Sequence, residues 1–217
     1  MAANIITLSR VGLVFVAILL FGVGFYGQLL AFLLTILVIY MDALDGYIAR
    51  KRRITSDLGA LLDITGDRIV ENIYWIYFAA IGMISFWVPV IVIARGFLTD
   101  ALRSIAFAKG KTAFGERTMM RSRFTRFLVS SRFSRGLYGV SKAIIFCYLG
   151  GLIALRGAMA QFFFTISSDV LFSLDLIGQV IVYMVLAMCV IRGIPVLWDG
   201  YLYLLEQRYP KFVRTET

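Results

Sequence analysis

The sequence predicts an all-α, polytopic membrane protein with six transmembrane helices in a single membrane domain spanning 1–217. Three observations carry that prediction. Of the 217 residues, 60% are hydrophobic and 16% charged, too apolar for an ordinary soluble domain. The apolar residues fall in long continuous runs, whereas an outer-membrane barrel would show short alternating segments. The charges collect between those runs, with most of the basic residues in two loops.

Taken in order, the first helix is expected over about 5–21, followed by a short Gly-rich connection, 22–27. The second runs over about 29–50 and carries Asp42 and Asp45 toward its C-terminal end. The basic loop KRRITS follows, then a third helix over about 58–80 with Asp63 and Asp67 near its start. Residues 82–89 form an uncharged turn before a fourth helix at about 90–108. The longest polar segment, 109–135, carries Lys109, Lys111, Arg117, Arg121, Arg123, Arg126, Arg132 and Arg135 against one acid, Glu116. A fifth helix is expected over about 137–155. The stretch QFFFTISS after it suits the membrane interface. The sixth, over about 176–205, is long enough to pass beyond the bilayer. The aromatic residues are expected to face lipid or anchor the interfaces.

The net charge of +9 would suggest nucleic acid in a soluble protein. Here the basic residues lie in loops two–three and four–five and in the tail, which fits topology and anionic headgroups, not nucleic acid. The positive-inside rule then places both termini and both basic loops in the cytoplasm, the expected membrane being the inner one. The aspartate-bearing ends of helices two and three face the same side, where nucleotides are available. Cys147 and Cys189 lie inside apolar runs and read as inert buried thiols. There is no histidine, so acid–base chemistry falls to carboxylates and any metal is expected to be hard and oxygen-loving. No small-residue cleavage site follows the first apolar run, so that helix is expected to stay in the mature protein.

The stretch from Asp42 to Asp67 concentrates the chemistry. Carboxylates at membrane depth cost about 2.5–3.5 kcal/mol each on insertion scales. At about 100° per residue, Asp42, Asp45, Gly46 and Ala49 share one face of helix two. Gly59, Asp63, Gly66 and Asp67 share one face of helix three. A short loop makes the two helices an antiparallel hairpin, so both carboxylate faces can converge on one cavity. Gly46, Ala49 and Gly59 keep that cavity wide, and Arg50 at its rim suits a phosphate. Isolated intramembrane acids often pair with a base or line a transport path. Four acids repel one another unless cations intervene, and two divalent ions, Mg²⁺ or Mn²⁺, would balance them and hold a diphosphate.

The residues Asp42, Asp45, Gly46, Ala49, Arg50, Gly59, Asp63 and Asp67 fill all eight fixed positions of D-x2-D-G-x2-A-R-x8-G-x3-D-x3-D. That pattern resembles the signature of the CDP-alcohol phosphotransferase (CDP-alcohol phosphatidyltransferase) family, and the six-helix layout resembles the family's too. The resemblance implies transfer of a phosphatidyl group from CDP-diacylglycerol to a polar alcohol, with release of CMP. It implies that Asp42, Asp45, Asp63 and Asp67 bind metal and that Asp67 is the general base. Asp45, Gly46, Ala49, Arg50 and Gly59 would bind the CDP group. It also implies a homodimer among membrane lipids.

Further segments resemble phosphatidylglycerophosphate synthases. These are IARGFLTDALRS with Arg95 and Arg103, GVSKA with Gly139 and Lys142, and NIITLSR with Asn4, Thr7 and Arg10. The family's Glu is Gly96 here. A cluster of Arg95, Arg103, Arg135 and Lys142 suits an acceptor phosphate such as that of glycerol 3-phosphate. The long four–five loop leaves inositol 1-phosphate as the alternative acceptor. Two other classes stay open. One is an intramembrane prenyltransferase, which also uses aspartates and Mg²⁺ on a diphosphate, though through motifs unlike D-x2-D-G-x2-A-R. The other is a cation transporter, disfavoured because the acids lie near helix ends and no paired broken helices appear.

Overall fold

The computed structural model describes residues 2–52, 57–108, 127–129 and 131–208. Six long helices dominate the described chain, with no strand among the described residues. They are α1 (Ala2–Phe21), α2 (Gly24–Arg52), α3 (Asp57–Ala80), α4 (Trp87–Ala108), α5 (Arg132–Phe162) and α6 (Ser168–Arg208). The protein is a helical integral membrane protein. By length and composition, segments of α2, α5 and α6 can cross a bilayer outright. The apolar part of α1 is shorter, at Ile6–Phe21. Charges interrupt α3 (Asp63, Asp67, Arg68, Glu71) and α4 (Arg95, Asp100, Arg103).

The helix ends are set locally. At the end of α3, Gly82 adopts φ +76°, and the amides of Gly82 and Met83 donate to the carbonyls of Ala79 and Phe78. This is a Schellman cap, and its left-handed residue favours glycine because a Cβ would be strained there. Ser85 precedes α4 and accepts from Trp87 and Val88. Pro89 is tolerated because the first turn needs no amide donor there. Ser167 caps α6 through its carbonyl, with Asp169 in the first turn. The chain ends α5 on Phe163 at φ 52°, fully solvent- or lipid-facing.

Packing divides the chain into two compact units. The first comprises Met1–Pro89 with Ala143–Val182, the second Val90–Lys142 with Tyr183–Thr217. The core of the first is aromatic: Tyr74, Trp75 and Phe78 of α3 are 0% exposed. The Phe146 ring stacks on Tyr74 at 5.1 Å and meets Trp75 edge-on at 4.9 Å. These buried rings depart from the expectation that the aromatics face lipid or the interfaces, which Phe15, Tyr40, Trp87 and Trp198 meet by being exposed. The last two turns of α3, residues 73–80, carry no charge on any side, so no stripe marks their inner face. The buried Tyr74 hydroxyl donates to Thr35 at 3.0 Å, and Thr35 to the Ala31 carbonyl at 2.9 Å, so this polar pair is satisfied. In the second unit, Gly193 of α6 lies against Arg95 of α4. A Cβ there would stand 2.8 Å from the Arg95 Cγ. Seven residues on, Gly200 receives Leu102 in the same way. Both cysteines are free, and Cys189 is buried.

Candidate functional site: a carboxylate pair and a cluster of arginines

In the first unit, α2 supplies Asp42 and α3 supplies Asp63 and Asp67. The Asp42 and Asp67 side chains are 55% and 50% exposed. Arg10 of α1 lies between them and is 2% exposed. Its Nη1 donates to Asp42 Oδ1 and its Nη2 to Asp67 Oδ1, so one guanidinium ties three helices together. A buried guanidinium is costly unless it is paired, and these carboxylates pair it. Its Nε has no partner among the described residues.

α1 comes this close because residue 66 is glycine. A Cβ on Gly66 would stand 2.5 Å from Thr7 Cγ2 and 3.6 Å from Arg10 Nη2. Thr7 is itself buried. Sequence reasoning placed Gly66 on the acidic face and set Thr7 and Arg10 in a separate segment without joining the two. A signal was present, since Arg10 is the sole charged residue in the first 41. A lone charge in an apolar helix calls for a partner, and the nearest acids along the chain are those of this stretch.

The other predicted residues stand as follows. Asp63 lies one turn before Asp67 and is exposed. Gly59 lies in the first turn of α3, partly exposed. Asp45, Gly46, Ala49 and Arg50 continue α2 beyond Asp42, and their side chains lie outside the described residues. Among the described residues no three acidic or thiol side chains close on one point. What is described suits a hard divalent ion. The two carboxylates converge from separate helices, already share one cation, and remain half exposed. Arg10 offsets one negative charge of the Asp42–Asp67 pair. Glu71 is buried one turn below Asp67, with Arg68 of its own helix 3.7 Å away.

In the second unit, basic residues gather around Tyr138, which is buried. Lys142 Nζ sits 4.7 Å from the ring centroid and the Arg192 guanidinium carbon 5.5 Å. Arg192 is 8% exposed. Its Nη1 donates to Ser134 Oγ at 2.6 Å and its Nη2 to the Val129 carbonyl at 3.5 Å, while Ser134 Oγ donates to the Leu128 carbonyl at 2.7 Å. Arg95 packs against Gly193, the next residue of α6, and Arg135 follows Ser134 on α5. The Nε atoms of Arg95 and Arg192 have no partner among the described residues. Three predicted residues, Arg95, Arg135 and Lys142, are therefore gathered together, with Arg192 as a fourth cation that sequence reasoning did not group with them. The Arg103 side chain lies outside the described residues.

The described helices thus bring two aspartates onto one arginine in the first unit, and Arg192 and Lys142 around Tyr138 in the second. A family model described as CDP-alcohol phosphatidyltransferase matches residues 1–191. The chain belongs to that family. It is similar to a curated relative from Mycoplasma pneumoniae, named CDP-diacylglycerol--glycerol-3-phosphate 3-phosphatidyltransferase. The two are 36% identical over 76 residues, covering 35% of this chain and 34% of the relative. A protein of the same name from Rickettsia bellii is 30% identical over 101 residues, covering 46% of this chain and 56% of that protein. The chain thus spans about a third of the first relative and about half of the second.

Proposed function

We propose that the chain transfers the phosphatidyl group of CDP-diacylglycerol to glycerol 3-phosphate, releasing CMP. One observation carries this reading: the complete eight-position signature lies on two helices whose Asp42 and Asp67 converge on one cation. The names of the relatives from Mycoplasma and Rickettsia support the acceptor.

In this reading the acceptor hydroxyl oxygen attacks the phosphorus that carries the diacylglycerol. The bond from that phosphorus to the bridging oxygen breaks, and CMP leaves with the oxygen. Asp67 takes the hydroxyl proton. Asp42, Asp45, Asp63 and Asp67 would hold two divalent ions, Mg²⁺ or Mn²⁺, which when bound neutralise the diphosphate and stabilise the leaving CMP. Asp45, Gly46, Ala49, Arg50 and Gly59 bind the CDP group. Arg95, Arg103, Arg135 and Lys142, joined by Arg192, take the acceptor's phosphate. Arginines suit that task because their planar donors match phosphate oxygens and never lose charge. The protein works as a homodimer in the inner membrane, with this chemistry on the cytoplasmic side.

The test is an acceptor screen with purified protein, Mg²⁺ and CDP-diacylglycerol. Glycerol 3-phosphate is expected to drive CMP release, while inositol 1-phosphate, inositol and serine do not. Asp67→Asn is expected to lower turnover at least about a hundredfold without unfolding the protein. Full CMP release by that variant would sink the assignment of Asp67. Turnover with inositol 1-phosphate alone would replace the acceptor.

A further inference from the structure

Arg10 and a divalent ion would compete for the same atoms. The guanidinium takes Oδ1 of Asp42 and Oδ1 of Asp67, the two carboxylates that converge from α2 and α3. Arg10 approaches from the buried side, at 2% exposure, and the carboxylates open outward at about half exposure. A guanidinium does not lose its proton in proteins, so the site cannot release this cation by titration. It can release it only by moving it. The side chain is equipped to move, because its hydrogen bonds run to these two carboxylates while Nε has no partner. Gly66 lets α1 pack closely on α3 beside Nη2, with Thr7 Cγ2 occupying the space a Cβ would take.

We propose that Arg10 is a resident counter-cation of the carboxylate pair, a positioning residue that holds Asp42 and Asp67 in register until an incoming divalent ion displaces it. The idea rests on the two-metal reading above. It gives α1 a task that the eight-position signature omits. In the metal-free protein, Arg10 suppresses repulsion between the two carboxylates and keeps them preorganised. It also sets a threshold on metal affinity, since each ion bound must break an existing ion pair.

The experiment measures Mn²⁺ binding to the purified full chain in nanodiscs by electron paramagnetic resonance, without substrate. Arg10→Met is expected to tighten Mn²⁺ binding about tenfold. Arg10→Lys, which keeps the charge but spans the two carboxylates less well, should fall between the wild type and Arg10→Met. Gly66→Ala keeps every charge and drives Thr7 outward, so it should tighten binding severalfold. In chelator, Arg10→Met should melt below the wild type, and saturating Mn²⁺ should narrow that gap. A merely structural arginine would give the opposite sign, with weaker binding in every variant. Unchanged or weakened Mn²⁺ affinity in Arg10→Met overturns the proposal. If that variant does not fold, unchanged affinity in both Arg10→Lys and Gly66→Ala does the same. A wild type that binds no Mn²⁺ would overturn both this proposal and the two-metal reading. Binding that is present but insensitive to Arg10 overturns this proposal alone.

Discussion

Arg192 shows how a single side chain can define a site. It is nearly buried, it spends two of its donors on Ser134 and Val129, and it shares the Tyr138 ring with Lys142. A guanidinium fixed this way keeps its charge but little mobility, as suits an anion receptor. Arg192→Ala is expected to raise KM for glycerol 3-phosphate roughly tenfold or more while leaving KM for CDP-diacylglycerol within about twofold. Arg192→Lys should recover part of that loss. Initial rates of CMP release at varied acceptor and donor concentrations separate the two constants, and a change confined to the donor would remove Arg192 from the acceptor site. The eight signature residues were legible because their spacing is local. Arg192 and Arg10 were not grouped with their sites because their partners come from distant helices. Chain spacing says nothing about which turn of α1 meets α3.

At the scale of elements, the runs of apolar residues located all six helices, but their ends were less legible. α2 starts at Gly24, inside the expected Gly-rich connection, and α5 and α6 extend well beyond their apolar cores to Arg132–Phe162 and Ser168–Arg208. Hydropathy reports where lipid begins, and a helix can continue past that point as long as its amides are paired. The turn after α3 was legible as a turn, and its cap gives a direct test. Gly82→Ala places a Cβ on a residue at φ +76° and is expected to cost about 1 kcal/mol of stability. Nothing lies within 4 Å of that Cβ, so the loss would report backbone strain alone. Thermal unfolding in a fixed detergent measures it, and an unshifted midpoint would argue against the left-handed cap.

At the scale of the whole molecule, the sequence announced a membrane protein but hid its inside. In water a core is marked by contrast with a polar surface. In lipid, core and surface are equally apolar, so nothing in the composition singled out Tyr74, Trp75 and Phe78 as buried. The proposed orientation, by contrast, rests on the loop charges. Thr112→Cys in the basic loop and Thr165→Cys after α5 should behave oppositely toward a membrane-impermeant maleimide on intact cells. The second should label directly, and the first only after permeabilisation. The natural thiols give a quiet background, since Cys189 is buried and Cys147 partly so. The reverse labelling pattern would invert the proposed topology.

The contact between Thr7 and Gly66 also has a practical side. It ties the turn of α1 that carries Thr7 and Arg10 to the carboxylate pair of the proposed centre. A purification handle or fluorescent reporter is better joined after the last residue than ahead of the first. A small probe needed near the centre has two natural attachment points on the same turn, Leu8 and Ser9, which are exposed.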